Sequence, residues 1–255
     1  REAIAGAGAM KYIGLNLTVP HKLLAFELVD ELDESAKTWG AVNTIRFEGK
    51  NGAGDWTPLA ELPIDYTGAL RTHGFNTDAD AIIRSLREDL EIDPRGKRVV
   101  LLGAGGAGRV AALRLASEGV GELFLVNRTA DKAAAVRDEI AERFPEVTVT
   151  VGYPEDRRAD LLLNATSLGL REGDGSPLDE AQFPVAGAPR VYDMIYRPAE
   201  TPLLRRAREA GAQTANGLGM LLYQGVKALE IWTSRPAPVG VMREALKQNV
   251  YGSQS

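Results

Sequence analysis

The sequence predicts an α/β protein of two domains, the second of them a doubly wound parallel sheet. Three observations carry this expectation. Residues 98–102, Arg-Val-Val-Leu-Leu, read as a buried strand that runs straight into Gly103-Ala-Gly-Gly-Ala-Gly108. A helix-type run over 109–117 leads out of the glycines, and a second β-type run over 122–126 completes a strand, turn, helix, strand unit. Beyond it, strand-type segments at 147–151, 160–164 and 190–194 alternate with helix-type ones, and strands that alternate with helices pair in parallel.

The earlier elements are shorter. Residues 2–10 read as the end of a helix already under way, so the chain is expected to begin inside a longer gene product. A strand is expected over 12–19, stopped by Pro20, then a helix over 21–32 and a strand over 41–47. Residues 48–72 hold Asn51-Gly52, Pro58, Pro63 and Gly68 and read as a long loop with a hairpin at Asn51-Gly52. An amphipathic helix is expected over 78–90, and Asp93-Pro94-Arg95-Gly96 is the expected joint. Later helices are expected over 130–143, 201–210, 220–232 and 239–246, the last two separated by Pro236 and Pro238. The domains are therefore set at 1–96, 97–217 and 218–255, and the helices of the last are expected to return to the first domain.

Composition narrows the function. The 255 residues carry a net charge of −5, 44% hydrophobic and 25% charged side chains, which is ordinary for a globular chain and argues against nucleic-acid and anionic-membrane partners. The chain has no cysteine, which removes disulfides, thiolate catalysis and cysteine metal sites and fits the cytoplasm. His21 and His73 have no matching ligands, so no metal is expected. The N-x-T triplets at Asn16, Asn127 and Asn164 fall in or after apolar stretches and read as coincidence.

The glycine turn has a physical logic. Gly103 permits a tight turn, Gly105 lets a pyrophosphate approach the backbone, and Gly108 lets the helix pack close to the strand, while the helix start offers free N–H groups to an anion. Gly103, Ala104, Gly105, Gly106 and Ala107 are the expected cofactor contacts. At the end of the second strand an NAD site usually carries a carboxylate for the ribose hydroxyl. This chain has Asn127, Arg128 and Thr129, with Lys132 one helical turn on. A guanidinium can pair with a 2′-phosphate through two parallel hydrogen bonds, so NADP is expected over NAD. The bland alternative is a solvated Arg-Lys pair opening a surface helix.

In the first domain Lys22 follows a strand and a proline, and a lysine there could protonate a carbonyl oxygen as it is reduced. Taken singly, Lys22 is more often a solvated helix-start residue, Thr77 or Asp78 could simply cap the helix, and Asn43-Thr44 could be ordinary pairing or turn chemistry. Gln224 stands inside an apolar helical stretch, where an amide needs a polar partner.

Taken together the motifs resemble the shikimate dehydrogenase family. Gly14-Leu-Asn-Leu-Thr-Val-Pro-His-Lys22, Gly40-Ala-Val-Asn-Thr44, Asn76-Thr-Asp78, Gly103-Ala-Gly-Gly-Ala107 and Asn127-Arg-Thr129 run in family order. Asn164-Ala-Thr-Ser-Leu-Gly169, Asp193-Met-Ile-Tyr196 with Pro198 and Thr201, and Gly217-Leu-Gly-Met-Leu-Leu-Tyr-Gln224 complete the series. The resemblance implies a Rossmann-like domain with NADP, and reversible reduction of 3-dehydroshikimate to shikimate in aromatic amino-acid biosynthesis. It implies Lys22 and Asp78 as the catalytic pair, with Thr18, Asn43, Asp78 and Gln224 holding substrate hydroxyls. It implies Asn16 and Thr44 as supports, and Tyr196 and Gly217 near the nicotinamide and the substrate. Family members begin with a further βα portion whose Ser-x-Ser binds the substrate carboxylate; these residues do not include it, and either the carboxylate anchor is absent or it lies upstream of Arg1 in a longer chain. A fusion to 3-dehydroquinate dehydratase is one such chain, and the assembly is expected to be a monomer or homodimer. The alternatives are a quinate/shikimate dehydrogenase that uses NAD, which Arg128 opposes, and a nucleotide-binding module without catalysis, which Lys22 and Asp78 oppose.

Overall fold

A computed structural model of the chain describes residues 1–18 and 20–252 and divides them between two compact units. The smaller is Arg1–Asp78 with Leu222–Glu244, and the larger is Ala79–Leu221 with Ala245–Ser255.

The smaller unit holds α1 (Glu2–Ala9), β1 (Gly14–Asn16), α2 (His21–Leu28), β2 (Glu31–Leu32), α3 (Glu34–Trp39), β3 (Thr44–Lys50), β4 (Trp56–Pro58) and β5 (Leu70–Phe75). Its sheet runs β1-β3-β5-β2, with β4 also on β3; β2 is parallel to β5 and the other pairs are antiparallel. Alternation along β3 sends Ile45 and Phe47 into two small apolar clusters, with Ala25, Ala36 and Val42 around the first and Ala7 and Leu59 around the second. Arg46 and Glu48 point to the opposite face, where Glu48 is 1% exposed.

Several expectations change here. The helix expected over 21–32 ends at Leu28, because Val29 turns extended and Asp30 takes the backbone N–H and hydroxyl of Thr72, at 2.8 and 2.7 Å. Residues 31–32 then pair with β5. The expected loop over 48–72 keeps its hairpin, since the Asn51 side chain accepts from Ala53 N and Asp55 N at 3.0 Å each, but the loop is flanked by paired strands, with β3 running to Lys50 and β5 starting at Leu70. The strand expected over 12–19 is reduced to β1, and Val19 lies outside the described residues. Helix α3 was not foreseen, although Asp33 caps its start by accepting from Ser35 N and Gly40, at φ +65°, closes it.

The larger unit follows with α4 (Asp78–Asp89), β6 (Arg98–Leu102), α5 (Gly106–Ser117), β7 (Glu122–Val126), α6 (Ala130–Arg143), β8 (Thr148–Val151), β9 (Leu161–Asn164), β10 (Arg190–Asp193), α7 (Pro202–Glu209) and β11 (Gln213–Asn216). Its six strands are all parallel, in the order β8-β7-β6-β9-β10-β11. Counted from β6, that is 3-2-1-4-5-6, the doubly wound order, with its switch point between β6 and β9. The central strands are buried on both faces, as such a sheet requires. The expected joint at 93–96 lies inside this unit, because Ser85 on α4 shares a 2.8 Å hydrogen bond with the Tyr192 hydroxyl on β10.

The chain closes with α8 (Leu218–Thr233) and α9 (Val239–Tyr251). From Leu222 α8 belongs to the smaller unit, where Trp232 Nε1 donates to Ile45 O at 2.9 Å and Gly14 leaves room for the indole. The return expected of 218–255 is partial, since α9 from Ala245 belongs to the larger unit, where the Tyr251 hydroxyl donates to Tyr196 O at 2.8 Å. No helix among the described residues is long and apolar enough to cross a membrane.

Candidate active site

In the larger unit the glycine turn leaves the carboxyl end of β6 at the switch point, where ligands of such sheets bind. Gly103, at φ +102°, turns the chain, and its N–H extends the β6–β7 ladder by donating to Val126 O at 2.7 Å. A Cβ at Gly108 would overlap Gly103 O, so glycine there is a condition for α5 to sit against the strand. At Gly105 and Gly106 a Cβ would meet nothing within 4 Å. That open approach lies over the first turn of α5, whose N–H groups have no intrahelical acceptor and favour an anion. Asn127 fastens the turn: its Oδ1 accepts from Ala104 N at 3.0 Å and its Nδ2 donates to Thr129 O at 2.8 Å. Arg128 and Lys132 are exposed, and among the described residues no carboxylate lies within salt-bridge reach of either. An open helix start with two uncommitted cations beside it fits a phosphorylated dinucleotide.

Next to the turn, Thr166, Ser167, Ile195, Tyr196, Asn249 and Val250 help line a cavity of about 960 Å³. Its floor hangs from a buried network at the ends of β9 and β10. Asn164 Oδ1 accepts from Thr166 N and Oγ1 at 2.9 and 2.8 Å, and its Nδ2 donates to Asp193 Oδ1 at 3.0 Å. Asp193 also accepts from Ile195 N at 3.0 Å and from the Thr201 hydroxyl at 2.7 Å. Burial pushes the Asp193 carboxyl up to about 6 in spite of these donors. Gly217 donates to Ile195 O at 3.1 Å, and a Cβ there would overlap Met194 O.

In the smaller unit Lys22, in the first turn of α2, and Asp78, the first residue of α4, are 56 positions apart and form an ion pair at 2.6 Å. Their side chains are 29% and 16% exposed, so the pair is sheltered yet open to a ligand. What aims Asp78 is a buried amide and hydroxyl cluster. Asn43, 2% exposed, accepts from Thr77 N at 2.8 Å and donates to Thr77 Oγ1 at 3.0 Å. Thr44 donates to Asn43 Oδ1 at 3.2 Å and accepts from Asn16 Nδ2 at 3.0 Å. Asn76 donates to Ala41 O and accepts from Asp78 N, at 3.1 Å each.

Profiles of known families match three stretches of the chain: the shikimate dehydrogenase substrate binding domain over residues 1–45, shikimate / quinate 5-dehydrogenase over 86–167, and the shikimate 5′-dehydrogenase C-terminal domain over 217–247. The shikimate dehydrogenase (NADP(+)) of Methanopyrus kandleri is 39% identical over 97% of this chain and 81% of its own length. The chain belongs to the shikimate dehydrogenase family. Among solved structures, shikimate 5-dehydrogenase of Thermus thermophilus in complex with NADP(H) and shikimate superposes with a TM-score of 0.74 at 33% identity, over 97% of this chain and 84% of that one. Ligand-free 5-ketofructose reductase of Gluconobacter superposes with 0.77 at 33% identity, over 97% and 83%.

Set against the family motifs, the structure joins some expected residues and separates others. Lys22 meets Asp78, Asn16 meets Thr44, and Asn43 meets Thr77. Thr18 is exposed, and its carbonyl starts α2 by accepting from His21 N at 2.9 Å. Gln224 is half-buried on the part of α8 that belongs to the smaller unit. Tyr196 and Gly217 belong to the larger unit. His73 Nδ1 lies 3.0 Å from Glu48 Oε1, in a cluster with Arg46 and Arg71. Asn164, Asp193 and Thr201 belong to the family motifs, but the sequence alone assigns them no role in this network. A run of polar residues at the ends of apolar strands was the available signal. For Asn249 to Tyr251 the sequence offered none.

Proposed function

We propose that this chain catalyses the reversible NADPH-dependent reduction of 3-dehydroshikimate to shikimate. The observation that carries the reading is the Lys22–Asp78 ion pair, held at 2.6 Å by residues of two separate motifs and left partly open. NADPH, when bound, supplies the hydride that adds to the carbonyl carbon. As the C=O electron pair moves to oxygen, Lys22 Nζ places a proton on it, and in the oxidative direction Lys22 takes that proton back. Asp78 holds Lys22 in place and accepts from a substrate hydroxyl. Thr18, Asn43, Gln224 and Tyr196 supply further polar contacts to the substrate, with Asn16 and Thr44 steadying Asn43 from behind. Gly103, Ala104, Gly105, Gly106, Ala107 and Gly217 shape the dinucleotide site by their backbone. Asn127 fastens the turn, and Arg128, Thr129 and Lys132 take the 2′-phosphate, which selects NADP.

The test follows nicotinamide absorbance in both directions, with 3-dehydroshikimate and NADPH and with shikimate and NADP. We expect turnover with both pairs, weaker turnover with NAD, and shikimate preferred over quinate. No turnover in either direction overturns the reading, and equal use of quinate or NAD overturns its specificity.

A further inference from the structure

One wall of the cavity in the larger unit comes from outside every motif of the family. Asn249 and Val250, in the last turn of α9, line it together with Thr166 and Ser167. The next residue, Tyr251, holds that wall in place. Its hydroxyl donates to Tyr196 O at 2.8 Å and accepts from Asn216 Nδ2 at 2.8 Å. Asn216 Nδ2 also donates to Ala199 O at 2.8 Å, and its Oδ1 accepts from Leu218 N at 3.0 Å. One phenol oxygen therefore ties together the segment that carries Tyr196, Arg197 and Pro198, the end of β11, the start of α8 and the end of α9. A phenol carries its proton at neutral pH and can donate it, and burial pushes the Tyr251 phenol further above its ordinary range. An exposed tail helix gains order from such a contact, and so does the cavity wall that shares it.

We propose that Tyr251 is a positioning residue, whose hydroxyl clasps the Tyr196 carbonyl and thereby sets the wall of the cavity that receives the nicotinamide end of the dinucleotide. The proposal rests on the dinucleotide reading above and extends it to a residue that no motif includes. Loss of the hydroxyl removes both of its hydrogen bonds, and the one to Tyr196 O, taken at the net worth of a single hydrogen bond, corresponds to about a fivefold change in affinity. The effect is confined to the nicotinamide end, because the 2′-phosphate and adenosine are held at Arg128 and the glycine turn.

The experiment is calorimetric titration of the full chain and of Tyr251→Phe with two ligands, NADP and adenosine 2′,5′-bisphosphate, which lacks the nicotinamide. We expect Tyr251→Phe to bind NADP about fivefold more weakly and the bisphosphate unchanged. Asn216→Asp, whose carboxylate draws the phenol proton away from Tyr196 O, is expected to show the same selective loss. Unchanged NADP affinity in both variants overturns the proposal. Equal weakening of both ligands also overturns it, since that is the mark of a merely structural contact. A wild-type chain that binds neither ligand overturns the dinucleotide reading itself, and the proposal with it.

Discussion

Gly105 and Lys22 stand at the centres of the two proposed sites, which are made from different materials. In the larger unit the site is backbone: a turn at φ +102°, a helix start, and two glycines over which a Cβ would find only open space. In the smaller unit it is side chain: an ammonium and a carboxylate aimed by the carboxamides of Asn16, Asn43 and Asn76 and the hydroxyls of Thr44 and Thr77. The first depends on side chains being absent, so one substitution can obstruct it without disturbing the fold. The second depends on several side chains being present at once, so each loss is felt through its neighbours.

The contrast can be broken in four places. Asp78→Asn removes the charge that holds Lys22 and is expected to lower kcat by about 10² with the NADP dissociation constant unchanged, read by steady-state kinetics beside calorimetry. If NADP affinity falls in step, the two sites are not chemically separate. Arg128→Ala removes a charge-assisted pair and is expected to weaken NADP by roughly 10- to 100-fold and NAD hardly at all. Equal loss for both cofactors would leave Arg128 without a role in selection. Gly105→Ala is expected to leave the melting temperature unchanged, since the Cβ meets nothing within 4 Å, and to weaken NADP about tenfold by standing in the path of the pyrophosphate. A fall in melting temperature with intact binding would reverse that assignment.

The smallest effect concerns acid stability of the smaller unit. Burial alone would raise the Glu48 carboxyl, but hydrogen bonds from His73, Arg46 and Arg71 more than offset it and hold it near a pKa of about 2, against 4.5 for the free group. A carboxyl depressed in the folded state contributes stability above its unfolded value, and loses it as pH falls from there through its folded value. The melting temperature is therefore expected to drop between about pH 4.5 and 2, and Glu48→Gln to flatten that drop while lowering the melting temperature at neutral pH. An unchanged acid profile would show that Glu48 is not the group responsible.

The same contrast explains what could be read from the sequence. The glycine turn, its flanking strands and helix α6 are local patterns, each legible within one short stretch of chain. The partnership of Lys22 with Asp78 spans 56 positions, and no local periodicity carries it; only the ordered set of family motifs pointed to it. Strand β11 went unseen because Gln213-Thr-Ala-Asn216 is polar and half-buried at a sheet edge, without the apolar run that marks the central strands. The two residues of β2 are too few to show a period, and their place is set by Asp30 reaching Thr72. Helix α3 had signals at both ends, Asp33 and Gly40, around a span too short to attract notice. The Tyr251 contact had no signal, since an aromatic near a chain end has no pattern of its own.

The most direct measurement loads Lys22→Ala with NADPH, adds 3-dehydroshikimate, and follows nicotinamide absorbance through a single turnover. The variant is expected to bind NADPH as the wild type does but to transfer the hydride about 10²- to 10⁴-fold more slowly. Hydride transfer at the wild-type rate would contradict that expectation, because the proton would then reach the carbonyl oxygen without Lys22.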